Sequence, residues 1–136
     1  GDFHYDRFLG PDRAHRISPL AEAAAAGIRF GIHSDAPVSP LDPLIGMVCA
    51  VNRQTETGRV LGEEQRITPE QALRAYTLDA AYVGFDEHEK GSLSPGKLAD
   101  ITVLSEDIAA LTRDSGKNIE IDMTIVGGTV CYERSS

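Results

Sequence analysis

Apolar and polar positions alternate in blocks along this chain, and the blocks predict a repeating helix-to-strand rhythm in the first 85 residues. The alanine-rich run Ala21 to Ala26 favours helix. Ser18-Pro19 before it reads as an N-cap followed by proline at the first helical position. Gly27 is a natural helix stop. The short apolar run Ile28–Ile32 then predicts a strand, and the polar corner His33-Ser34-Asp35 ends it, with Pro37 barring its continuation. Asp42-Pro43 opens a second helix by the same capping logic, with Leu44, Met47, Val48 and Val51 on one face. Thr68-Pro69-Glu70-Gln71 spells a capping box and starts a third helix running toward Val83. The first 17 residues read as a loop followed by a short helix from Pro11, and the polar stretch from Arg53 to Glu64 as a loop.

Beyond Gly84 the pattern changes. Phe85 to Lys90 is acidic and polar, and Gly91-Ser92 with Ser94-Pro95-Gly96 supplies turn chemistry. Asp100 to Leu104 predicts a strand. Residues 105–118 read as a loop with a helical turn near Ile108–Leu111. Met123–Val126 and Thr129–Glu133, joined by Gly127-Gly128, predict a β-hairpin. The chain is therefore expected to divide into an α/β part, residues 1–85, and a β part, residues 86–136.

Composition narrows the possibilities. The 136 residues suit one ordinary domain, well short of the roughly 250 of a complete β/α barrel. A formal net charge of −8 argues against nucleic acid and anionic membranes as partners. No stretch is long and apolar enough to span a bilayer. With no signal-peptide pattern, a cytoplasmic protein is expected. Cys49 and Cys131 lie in apolar helical and strand patterns, so both are expected to be buried and reduced.

Asp35 is the candidate reactive residue, because in β/α barrels the carboxyl ends of the strands carry the chemistry. The competing reading is a turn or capping carboxylate, common in such corners. His33, two residues earlier on the same predicted strand face, is a pocket neighbour or a hydrogen-bonded structural histidine. Arg53 either binds a substrate carboxylate through its fork or forms a surface or interdomain salt bridge. His4, His15 and His88 read as surface histidines. Asp100, at a strand entry, is expected to organise the turn before it. The alanine run and the Met47–Val51 stripe read as packing faces.

Taken in order, several pieces resemble the metal-dependent amidohydrolase superfamily, specifically amidohydrolase family 3. They are Leu9-Gly10 with Arg13-Ala14, Pro19-Leu20, Gly27-Ile28, Ser34-Asp35-Ala36-Pro37-Val38, Asp42-Pro43-Leu44, and Ala50-Val51 with Arg53. Thr68 to Leu73, Gly91-Ser92-Leu93, Gly96-Lys97-Leu98-Ala99-Asp100 and Val126-Gly127-Gly128 complete the series. The resemblance implies an α/β fold: the carboxyl-terminal part of a β/α (TIM-type) barrel, with residues 28–35 as its eighth strand, plus strands of a small β-sandwich over residues 91–134. It implies hydrolysis of a carbon–nitrogen bond in a small-molecule substrate. A divalent metal, zinc in the first instance, would take Asp35 as ligand and proton shuttle; Asp35 alone carries over from the resemblance, and His33 and Arg53 are substrate-side candidates from their own chemistry.

The His-x-His pair and the two later histidines of that superfamily have no counterpart here. The chain is therefore expected to be the last portion of such an enzyme, inactive by itself. The alternative is a self-standing, non-catalytic domain that self-associates through unpaired strand edges or completes a partner chain.

Overall fold

The computed structural model describes residues 1–111 and 119–135. The chain opens in a π-helical segment, His4–Leu9, that runs into α1 (Gly10–Ala14). Next come α2 (Leu20–Ala25), α3 (Pro43–Asn52), α4 (Pro69–Tyr76) and α5 (Leu78–Val83). Strands β1 (Ile101–Leu104), β2 (Ile121–Val126) and β3 (Thr129–Glu133) form an antiparallel sheet in the order β1-β2-β3. The expected loop over 105–118 holds a 3₁₀ turn at Ile108–Ala110, and its part at 112–118 lies outside the described residues.

Locally encoded features form as the sequence predicts. The Asp42 carboxylate accepts the Leu44 amide at 2.9 Å and caps α3. Thr68 and Gln71 make both bonds of the capping box at the start of α4. Gly127 and Gly128, with φ of 57° and 80°, make the turn between β2 and β3, where two successive left-handed residues match the strand twist.

The core lies where α3 meets α4. Met47 and Ala50 of α3 pack with Ile67, Ala72 of α4 and Leu111, so the loop after β1 helps cover the helices. Leu44, Val48 and Val51 flank this cluster, as their spacing requires. Gly46 lets the helices approach closely, because Tyr76 lies directly against its Cα.

Several expectations need correction. Residues 28–32 form no laddered strand: the Ile28 amide bonds back to the Ala23 carbonyl, and the Ile32 amide donates to the Ala75 carbonyl at 3.3 Å. A strand exists only as part of a ladder, and no described strand runs beside this one. Its alternation survives, since Phe30 and Ile32 pack on the core while Gly31 and His33 are exposed. Ser18 does not cap α2. It sits at φ 48°, outside the extended region an N-cap needs, and Pro19 takes that position.

The expected opening loop is helical from His4 onward, because the 54–60 loop clamps it. Thr55 and Thr57 donate their hydroxyls to Asp2, and Arg59 pairs with Asp6 while stacking 4.1 Å from the Tyr5 ring centre. The helix expected to reach Val83 breaks at Thr77, whose hydroxyl donates to the Leu73 carbonyl at 2.8 Å.

Both cysteines are free, yet both are exposed rather than buried. Cys49 falls at the edge of the α3 core face, and every residue of β3 is exposed, Cys131 included. Asp100 reaches forward rather than back: its carboxylate accepts the Gly127 amide at 2.8 Å and ties β1 to the hairpin turn.

Candidate functional site

The 28–34 segment delivers its polar corner to the mouth of a hollow of about 390 Å³. Residues Gly31, Ile32, His33 and Ser34 form one wall. The other wall is α3, from its cap Asp42 through Ile45 and Gly46 to Cys49, with Tyr76 and Arg53 beside it. On the α3 wall Gly46 lies against the Tyr76 hydroxyl, while Phe30, beside the opposite wall, packs into the core.

Asp35 follows that wall directly and is exposed. It adopts the left-handed conformation, φ 53°, which a short polar side chain tolerates. Hydrogen bonds hold it on both sides. Its amide donates to His33 Nδ1 at 3.1 Å, and its carbonyl accepts the Val38 amide at 2.8 Å. The Ser39 hydroxyl donates to the Ser34 carbonyl and closes the loop one residue further out. The left-handed turn ends the strand geometry, so Asp35 does not simply share the face of His33. The two residues meet through the ring and the backbone instead.

Arg53 lines the hollow, but its fork is already engaged. It is 9% exposed and donates Nε to the Leu61 carbonyl at 2.9 Å, and its terminal nitrogens to the carbonyls of Ser18 and Ile17. The expected surface or interdomain salt bridge is not what holds it; three backbone carbonyls are. Burial pulls its guanidinium below the ordinary value, and Glu64 and Cys49 act in the opposite sense. Arg53 sits at φ 58° as the C-cap of α3, which turns its side chain back toward residues 17–18.

Of the predicted residues, the structure thus brings His33 and Asp35 into contact and puts His33 and Arg53 on the same hollow. His4 and His15 are exposed, as is His88 beside Glu87. Inspection of the sequence missed Tyr76, Cys49 and Ser39 at this site. Tyr76 had a signal, as the aromatic end of an amphipathic helix. Cys49 and Ser39 had none, since their neighbours come from chain reversal. Although Cys49 is exposed as a residue, desolvation of its sulfur against the hollow pushes the thiol up.

The fold of this chain recurs in solved structures. An uncharacterised metal-dependent hydrolase from Pyrococcus horikoshii superimposes with a TM-score of 0.71 at 24% identity, over 86% of this chain and 24% of the other. An amidohydrolase from Thermotoga maritima gives 0.64 at 21% identity, over 85% of this chain and 26% of the other. These likenesses define the fold class.

Sequence comparison defines the family. The amidohydrolase family profile matches residues 1–132, and the chain belongs to that family. An N-substituted formamide deformylase from Arthrobacter pascens is 30% identical over 132 residues, and the Bacillus subtilis protein named "putative amidohydrolase YtcJ" is 32% identical over 130. These matches take in 96% and 93% of this chain, which spans 24% and 25% of the length of the two relatives.

Metal dependence in such neighbours raises the question of what this chain offers a cation. Among the described residues, no group of three or more His, Cys, Asp and Glu side chains gathers to hold one. At the corner Asp35 has only His33 beside it, and the Nδ1 of that ring is occupied by the Asp35 amide. A catalytic zinc takes about three protein ligands. The described residues do not amount to such a centre. Among them, no helix is long and apolar enough to cross a membrane.

Proposed function

We propose that this chain is the carboxyl-terminal portion of a metal-dependent hydrolase that cleaves a carbon–nitrogen bond in a small molecule. Asp35 is its catalytic carboxylate and, in the whole enzyme, a ligand of a divalent ion, zinc by preference. Residues 28–35, without a ladder in this chain, would take the place of the last strand of a β/α barrel in the whole enzyme, and residues 86–136 belong to a small β-sandwich beside it. Residues 1–136 alone are inactive, because the remaining metal donors come from elsewhere in the enzyme.

The family match over residues 1–132 carries this proposal, together with a span of only about a quarter of its relatives. Two relatives support the bond type by name. One is the formamide deformylase; the other is a 5-methylthioadenosine/S-adenosylhomocysteine deaminase from Symbiobacterium thermophilum, 28% identical over 130 residues. In this chemistry a fixed carboxylate takes the proton of the attacking water and returns it to the departing amine. Asp35 suits such proton transfer, being short, exposed and held by its backbone at the mouth of a hollow. His33 and Arg53 line the hollow on the substrate side.

The test has two arms. Residues 1–136, purified with added zinc, are assayed for bound metal and for amine release from an N-substituted formamide. Neither stoichiometric metal nor turnover is expected, and finding both would overturn the assignment of inactivity. In the longer enzyme encoded with these residues, Asp35→Asn is expected to lower kcat at least about 100-fold. An unchanged kcat would remove Asp35 from the chemistry.

A further inference from the structure

We infer that His33 is a positioning residue that aims Asp35, acting through its ring nitrogen on the Asp35 backbone. The inference rests on the catalytic assignment of Asp35 above and adds a device that holds it.

The observation is a side chain bonding to the backbone two residues on: the Asp35 amide donates to His33 Nδ1 at 3.1 Å. Asp35 sits at φ 53°, a conformation that L-residues adopt only at a cost, so something must select it. Its carbonyl is anchored by the Val38 amide at 2.8 Å, which secures the far side of the turn. On the near side the N–H of the Ser34–Asp35 peptide is held by the His33 ring. With both peptide groups of Asp35 restrained, its Cα–Cβ bond has one direction, and the carboxylate leaves the corner along it. The Ser39 hydroxyl on the Ser34 carbonyl restrains the peptide between the two residues.

The chemistry of the ring agrees. A neutral imidazole that accepts at Nδ1 carries its proton on Nε2, so one side chain holds the corner and still offers a donor. Such a role predicts which replacements work. An asparagine side-chain oxygen reaches about where Nδ1 lies, whereas a glutamine extends to the position of Nε2. His33→Asn therefore keeps the acceptor; His33→Gln and His33→Ala lose it.

The experiment begins on residues 1–136, where no catalysis is needed. Amide hydrogen exchange at Asp35 is measured by NMR in the wild-type chain and in the three variants. Protection of about tenfold is expected in the wild type and in His33→Asn, the size one net hydrogen bond supports, and it is expected to vanish in His33→Gln and His33→Ala. An unprotected Asp35 amide in the wild type overturns the inference, as does full protection in His33→Ala.

In the longer enzyme, His33→Gln is expected to lower kcat about tenfold and His33→Asn to recover that loss in kcat, whatever either change does to KM at the substrate side. A raised KM with unchanged kcat would make His33 a substrate contact only and overturn the positioning role. The two assignments fail separately. Full activity in Asp35→Asn removes the catalytic reading, while the exchange data decide the His33 bond on their own.

Discussion

Tyr76 of α4 lays its hydroxyl against Gly46 of α3 so closely that a Cβ added to Gly46 would collide with the oxygen. Glycine within a helix costs about 1 kcal/mol relative to alanine, so its presence there needs a reason. The reason is the close approach of α3 and α4, which also shapes the hollow. Gly46→Ala is therefore expected to destabilise the chain by about 1–3 kcal/mol, the usual cost of overpacking, despite the better helix propensity of alanine. Urea denaturation measures it. A stabilised variant would mean that Tyr76 swings aside freely.

The capping box at Thr68 and Gln71 starts the helix that carries Ala72, Ala75 and Tyr76 into the core and the hollow. Thr68→Ala removes the acceptor for the Gln71 amide and is expected to cost about 1 kcal/mol. Thr68→Ser keeps the oxygen and is expected to recover most of that loss. Equal midpoints in denaturant for the alanine variant and the wild type would refute the assignment.

Arg53 is the strap across the back of the hollow. Its fork holds Ile17, Ser18 and Leu61, three carbonyls from two separate loops. A lysine is a single point donor and cannot span them. Arg53→Lys is expected to lose at least about 2 kcal/mol, with the 17–18 junction loosening first. Limited proteolysis locates the loosening, and cleavage unchanged near Ser18 would count against it.

Acid is expected to release the amino-terminal helix. Desolvation works to raise the Asp2 carboxyl, but bonds from Thr57 and Thr55 and the charge of Arg59 outweigh it and hold the group below 3.8. A carboxyl whose pKa is depressed by folding contributes stability that is complete above its unfolded value and is lost as the pH falls through its folded one. The clamp on the 54–60 loop should therefore open only below pH 3.8, and Asp2→Asn should abolish that transition. The NMR signals of the Tyr5 ring, stacked on Arg59, report it. Identical acid titrations of the two proteins at Tyr5 would contradict the clamp.

The features legible in the sequence are those whose partners lie within a few residues. Asp42 caps Leu44 two positions on, Thr68 and Gln71 serve each other three apart, and Gly127-Gly128 turns on its own dihedral freedom. The corner at Asp35 was legible for the same reason, as a polar break after an apolar run. The misreadings share the opposite cause. Ser18 reads as a cap but is turned away, beside an arginine 35 residues later that takes its carbonyl. Asp100 reads as a local turn residue but serves Gly127, 27 residues on.

What the sequence determined by itself was the family, through the order of its motifs, and the helix starts, the hairpin and the carboxylate at the corner, because short-range hydrogen bonding suffices for those. Only the tertiary structure decided that residues 28–34 lie against the helices without a ladder, since pairing needs a neighbour that local pattern cannot name. It likewise decided that Arg53 spends its donors on carbonyls and that His33 touches the backbone of Asp35, because both contacts depend on where the chain turns.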